Sequence, residues 1–181
     1  MAPEILAAMI GLALLAPAVW LYNRLVADRN LARQGYADID VQLKRRADLV
    51  PQLVEAVRAY AAHEKALFTS VAALRAAALA APRAAERFAH ERELGERLAN
   101  LVLLQENYPA LKADANFRDL SSKLVEVEDA LQYARRFYNG AVKRYVTRLE
   151  SFPDNLMAKL FRFQPMAFFE TSDRAPVNIA L

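Results

Sequence analysis

Two histidine–glutamate dipeptides, His63-Glu64 and His90-Glu91, are where this sequence comes nearest to metal chemistry. A zinc-peptidase helix needs a second histidine four residues after the first, so that both imidazoles share one face. Those positions hold Leu67 and Leu94, and the zinc reading fails. Carboxylates gather at Glu86, Glu91, Glu93 and Glu96, and again at Glu126, Glu128 and Asp129. A di-iron bundle pairs inward glutamates with Glu-x-x-His, but Tyr60 and Arg87 stand three residues before the histidines. Solvated faces with i to i+4 ion pairs account for such runs better. Cysteine is absent, which removes thiol catalysis and thiolate metal sites. No glycine-rich phosphate loop occurs, and none of Ser70, Ser121, Ser122, Ser151 and Ser172 sits in a nucleophile elbow. The sequence therefore predicts no catalytic residue, no metal, no cofactor and no small-molecule substrate.

The basic cluster Lys44-Arg45-Arg46 raises nucleic acid as a partner. Affinity for a polyanion needs several phosphate contacts at once. The net charge of +3 spread over 181 residues offers too little surplus, so no nucleic-acid partner is expected. Lipid head groups are the other polyanion. On a straight helix, however, the cluster lies roughly 35 to 40 Å from Trp20, beyond a Debye length of any bilayer there.

The elements that carry these residues read as helices. Ile5 to Tyr22, ILAAMIGLALLAPAVWLY, holds no charge. As a helix it is about 27 Å long, close to the thickness of a bilayer core. Trp20 and Tyr22 end the run, where aromatic rings favour the lipid–water boundary, and Arg24, Arg29 and Arg33 follow. These features predict an uncleaved transmembrane helix over 5–22, with Trp20, Tyr22 and Arg24 as interface anchors. A cleaved signal peptide is the rival: Ala16-Pro17-Ala18 resembles a cleavage site, but the segment before the run lacks a basic residue. The positive-inside rule places a short N-terminus, residues 1–4, outside and the rest in the cytoplasm.

Beyond the anchor, Pro82, Pro109 and Pro153 punctuate the chain. Apolar residues recur in steps of three and four through Leu25, Ala32, Ile39, Leu43, Val50, Leu53, Val57, Leu67 and Val71, which predicts one long helix from the anchor to about Ala80. Pro51 lacks an N–H and crowds the preceding turn, so a bend or break is expected near Arg46 to Val50, with Asp48 capping a restart. A second helix fits Arg83 to Tyr108, with the stripe Phe88, Glu91, Leu94, Leu98 and Leu101. A third runs from a cap at Asp114 to Glu150 and carries the cleanest seam, from Phe117 through Leu120, Leu131 and Tyr138 to Leu149. A short helix over Asn155 to Phe161 turns Leu156, Leu160 and Phe161 inward, and Phe161, Phe163, Phe168 and Phe169 form an aromatic plug; a short interfacial helix, which Arg162 and the aromatics permit, is the competing reading. The expected fold is all-α: a transmembrane helix continuing into a long antiparallel bundle of three long helices plus a short C-terminal one. The bundle occupies residues 23–170, and residues 171–181 form a mobile tail.

Three charges fall on the seams, Arg29, Arg46 and Glu64. Each either snorkels off the stripe edge or forms a buried ion pair that fixes register. For Arg46 the candidate partners are Glu126 and Glu128 of the third helix, because a dry, unpaired guanidinium would cost several kcal/mol.

Four blocks, YNRLVADRN from Tyr22, DIDVQLKRRADLVPQLVEAVRAYAAHEK from Asp38, ENYPALKADANF from Glu106 and ARRFYNGAVKRYVTRLESFPDNLMAKLFRFQPMAFFE from Ala134, resemble the LemA family in order and spacing. Tyr36 stands where relatives often carry tryptophan. Gly35 replaces a helix former and weakens the first helix by about 1 kcal/mol. The resemblance implies a single N-terminal membrane helix, an exterior N-terminus and an antiparallel helical domain in a bacterial protein, and it implies no catalytic residues. The expected role is a membrane-anchored scaffold or interaction module, homo-oligomeric on the bilayer. An accessory subunit of a membrane enzyme such as a peptidase is the alternative, and a carboxylate metalloenzyme comes third.

Overall fold

The structure is a computed structural model that describes residues 3–169; between 3 and 14 it describes the backbone, with side chains at Met9 and Ala13 alone. Residues 1, 2 and 170–181, with the expected tail, lie outside the described residues. The fold is all-α, with no strand among the described residues. The helices are α1 (Pro3–Arg58), α2 (Lys65–Ala80), α3 (Ala84–Leu103), α4 (Pro109–Ala113), α5 (Ala115–Glu150) and α6 (Asp154–Leu160). A 3-10 turn, Leu104–Glu106, follows α3. Among the described residues no helix is long and apolar enough to cross a membrane. The transmembrane span expected over 5–22 thus finds no support there, although many of its side chains lie outside the described residues.

The first helix departs from expectation twice. It passes through Pro51 without a break. Proline cannot donate to the carbonyl four residues back, which leaves the Ala47 oxygen without its helical partner. Arg75 of α2 donates its Nε–H to that oxygen at 2.8 Å. A neighbouring helix satisfies what the proline gave up, and the helix continues. The break comes instead after Arg58, in a segment with neither glycine nor proline. Tertiary contacts make that corner: Ala61 is wholly buried, and Tyr60 donates its hydroxyl to Asp114 Oδ2 at 3.0 Å. The predicted single helix to Ala80 is therefore two, and the bundle has more pieces than three long helices and a short one.

The second helix, expected to reach Tyr108, stops at Leu103, and Pro109 opens a further short helix in place of closing that one. Ala81, before Pro82, is extended (φ −63°, ψ 120°) and closes α2. Pro109 takes the first turn of α4. Asp114 caps α5: its Oδ1 accepts the Phe117 N–H at 2.7 Å. That hydrogen bond, then the Tyr60 hydroxyl, holds its carboxyl below the usual carboxylate range.

The described residues form two compact units, 3–37 with 136–168, and 38–135 with 169. In the second, the later part of α1, α2, α3, α4 and the first half of α5 enclose a core containing Leu53, Val57, Phe68, Leu98, Leu101, Phe117 and Leu120. Burying each such side chain contributes roughly 1.5 to 3 kcal/mol. In the first unit α1 runs antiparallel to α5. Asp28 meets Arg144 and Arg148, and the rings of Tyr36 and Tyr138 lie 6.0 Å apart. Gly35 is buried there, and a Cβ on it would come within 3.0 Å of the Tyr138 Cα and of the Phe137 ring. The glycine lets two backbones approach, a packing role that its low helix propensity hides.

The expected aromatic plug divides. Phe161 and Phe163 pack against Tyr22 in the first unit, with ring centroids 4.8 and 5.8 Å away, whereas Phe169 packs on Phe88 in the second, at 4.1 Å. Phe168 is exposed. The extended segment after α6 is pinned by tyrosines of α5: Tyr138 donates to the Ala167 carbonyl at 2.6 Å and Tyr145 to that of Gln164 at 3.0 Å. Helix α6 itself runs opposite to expectation, because Leu156, Leu160 and Phe161 are exposed.

Candidate functional site: a closed ionic centre

The most polar part of the second unit's interior is built on three helices. On α1, Leu43, Arg46, Val50 and Leu53 share the inward face, and Arg46 is wholly buried. On α3 the stripe Phe88, Glu91, Leu94 places a carboxylate among apolar neighbours, and Glu91 is 2% exposed. On α5, Glu128 stands beside the buried Val127 and Leu131 at the edge of the seam and is part-exposed.

Arg46 joins them. Its Nη1 donates to Glu128 Oε1 at 2.5 Å, and its Nη2 donates to Glu91 Oε2 at 2.5 Å and to the Glu91 carbonyl at 2.7 Å. Burial alone would lower the guanidinium's pKa. The two carboxylates, Glu128 first, outweigh it and raise the pKa above the ordinary arginine value. The cation stays charged at every accessible pH, and both carboxylates are engaged. Gly95, one turn beyond Glu91 on α3, leaves space for the arrangement: a Cβ there would lie 3.2 Å from Arg46 Nη1.

A second arginine borders the centre. Arg135 is buried and lies over the Phe169 ring at 4.4 Å. Burial first, then the like charge of Arg46, pushes its pKa down to about 10, with Glu128 and Glu91 pulling the other way. The centre thus has two carboxylates for two guanidiniums, and the Nε atoms of Arg46 and Arg135 are buried without a hydrogen-bond partner among the described residues. Chemically it can hold three helices in one register.

Of the two partners expected for Arg46, Glu128 is brought to it, whereas Glu126 is exposed on another face of α5. Glu91 was missed as a partner; a carboxylate on an otherwise apolar stripe was its signal. The other seam charges have separate fates. Arg29 lies 4.9 Å over Phe163, and Glu64 occupies the N-cap position of α2 without a side-chain hydrogen bond. Lys44 and Arg45 are exposed, as is His63. Of the expected interface anchors, Trp20 and Arg24 are exposed and in contact, with the guanidinium 5.0 Å from the ring, and Tyr22 is half-buried under Phe161. Among the described residues no group of three or more His, Cys, Asp or Glu side chains is placed to hold a metal ion.

The LemA family model matches residues 35–180, most of the chain. The chain belongs to the LemA family. The ionic centre lies wholly inside the LemA match, and residues 1–34 precede it. Two curated relatives are Magnetosome protein MamQ 2 and Magnetosome protein MamQ 1 of Paramagnetospirillum magneticum. Each is 28% identical over 76 residues, which is 42% of this chain and 28% of the relative. The match therefore spans little more than a quarter of those relatives' length.

Proposed function

We propose that this LemA-family chain is a membrane-anchored helical scaffold that self-associates or organises partner proteins at a bacterial membrane, and that it is not an enzyme. The observation that supports the non-catalytic part is the pairing within the buried centre: Arg46 is wholly inside, and Glu91 and Glu128 are both bonded to it. A cation held between the protein's own carboxylates suits a structural role. In this reading the centre sets helix register, so that an assembling surface is presented in one arrangement.

Membrane anchoring rests on the uncharged run Ile5 to Tyr22, on the aromatic and basic residues that end it, and on exposed apolar side chains of α1 (Leu15, Val19 and Trp20). The bundle is read as cytoplasmic, from the arginines that follow the run. Two measurements test the proposal. Carbonate washing of membranes should leave the full chain in the pellet, and release into the supernatant would refute anchoring. Light scattering of the detergent-solubilised chain should give a multimer. A strict monomer at high concentration, with one dominant foreign partner in crosslinking, would replace self-assembly by the accessory-subunit reading.

A further inference from the structure

The first unit holds a cleft of about 370 Å³, bordered by charged side chains, that the scaffold reading leaves unused. Its lining includes Arg24 of α1 and Lys143, Arg144, Thr147 and Arg148 of α5, with Ser151 just beyond. On a helix, residues three and four apart share a face, so Lys143, Thr147 and Ser151 stack beside Arg144 and Arg148. Two carboxylates oppose the four cations. Asp28 sits 3.0 Å from Arg144 Nε and 2.5 Å from Arg148 Nε, and Asp154 lines the cleft. A surplus of two positive charges remains.

Three observations bear on that surplus. Arg148 is more than nine-tenths buried, yet its Nη1 has no hydrogen-bond partner among the described residues. Buried guanidinium protons without acceptors are strongly disfavoured. Gly140, which also lines the cleft, stands inside helix α5 where a Cβ would meet nothing within 4 Å. No packing demand explains that glycine, and its missing side chain keeps the cleft open. Finally, Arg24 lies against Trp20, an exposed ring at the end of the uncharged run.

We propose that this cleft binds a phosphate group, and that the ligand is the head group of an anionic phospholipid. Arginine and lysine with hydroxyl neighbours suit phosphate oxygens, and Trp20 is the side chain in contact with Arg24 that favours the lipid boundary. The lipid identity rests on the anchoring proposed above; the phosphate chemistry does not.

Trp20 is the chain's single tryptophan and reports on Arg24 directly. The full chain is placed in phosphatidylcholine nanodiscs, and its emission is followed as phosphatidylglycerol replaces phosphatidylcholine. In a second arm the detergent-solubilised chain is titrated with inorganic phosphate. The expected result is a saturable change with phosphatidylglycerol and a much weaker one with phosphate. Lys143→Glu should weaken both about tenfold, the scale of one charge-assisted hydrogen bond. Gly140→Ala, which narrows the cleft without touching a charge, should weaken them severalfold. Lys112→Glu, on exposed α4, should leave both unchanged. Equal affinity for inorganic phosphate would move the ligand from lipid to a soluble phosphate. An unsaturable response, or one that all three variants share, would overturn the site in favour of bulk charge. A chain lost from the nanodiscs refutes anchoring, while the phosphate arm still tests the cleft. A retained chain silent in both arms refutes the cleft and leaves anchoring intact.

Discussion

The two units use the same chemistry, arginine against carboxylate, to opposite ends. In the second unit Arg46 is wholly enclosed, and its acceptors are two carboxylates and one backbone carbonyl. In the first, Asp28 is nearly as buried, but its partners Arg144 and Arg148 line an open cleft, and Arg144 is 61% exposed. A pair enclosed inside a core fixes structure. A pair whose cations line an open cleft can fix structure and still recruit a ligand. The difference lies in the neighbours. Leucines and valines close the first case, and Gly140 leaves the second open.

The sharpest way to break this contrast is to remove the enclosed cation. Arg46→Met should destabilise the chain by about 3 to 5 kcal/mol, because Glu91 is left buried and unpaired. Adding Glu91→Leu should recover most of that loss. Urea denaturation of the two variants measures both, and a mild loss from Arg46→Met alone would deny the centre its register role. Next in size is Gly35→Ala. Its Cβ would meet the Tyr138 backbone at 3.0 Å, and a loss of about 1 to 3 kcal/mol is expected where helix propensity alone predicts a gain. Thermal melting decides the sign.

Arg135 offers a change in the other direction. Its pKa, lowered to about 10 by burial and by Arg46, means that the unfolded chain holds that proton more tightly. The charged form is therefore a burden below about pH 10 that lifts only as pH climbs toward the ordinary arginine value. Arg135→Met should raise stability at neutral pH by about 1 kcal/mol, less any stacking lost on Phe169, measured again in urea. The smallest effect concerns the α5 cap. The carboxyl of Asp114 is held below its usual range by the Phe117 N–H and the Tyr60 hydroxyl. Its contribution is complete above the ordinary carboxylate pKa, about 4, and fades as pH falls through the lower folded value. Asp114→Asn should melt below the parent at neutral pH and converge with it in acid, and melting curves across that range follow the gap.

Some of this was legible in the chain and some was not, for physical reasons. The seam of α5 was clear because strict three-and-four spacing has one interpretation, and Leu120, Leu131 and Tyr145 are buried. Asp114 was clear because capping is local. The corner after Arg58 was not, since contacts distant in sequence make it. Glu91 was visible on its stripe but was not matched to Arg46, because spacing within each helix says nothing of which helices meet. Leu156 and Leu160 were placed inward by their apolarity, a one-way rule: apolar residues also populate surfaces. Gly35 was judged by propensity, which is blind to what a side chain would strike.

Pro51 and Arg75 carry a consequence of their own. By dropping one rung of its ladder, α1 exposes a socket at Ala47 that a neighbour can plug. Neither member makes sense alone. With alanine at 51 the helix would fill its own socket and the guanidinium would become redundant; without the arginine, the oxygen would be stranded beside a residue unable to serve it. A defect in one rod has become the latch that tells a second rod where to stop.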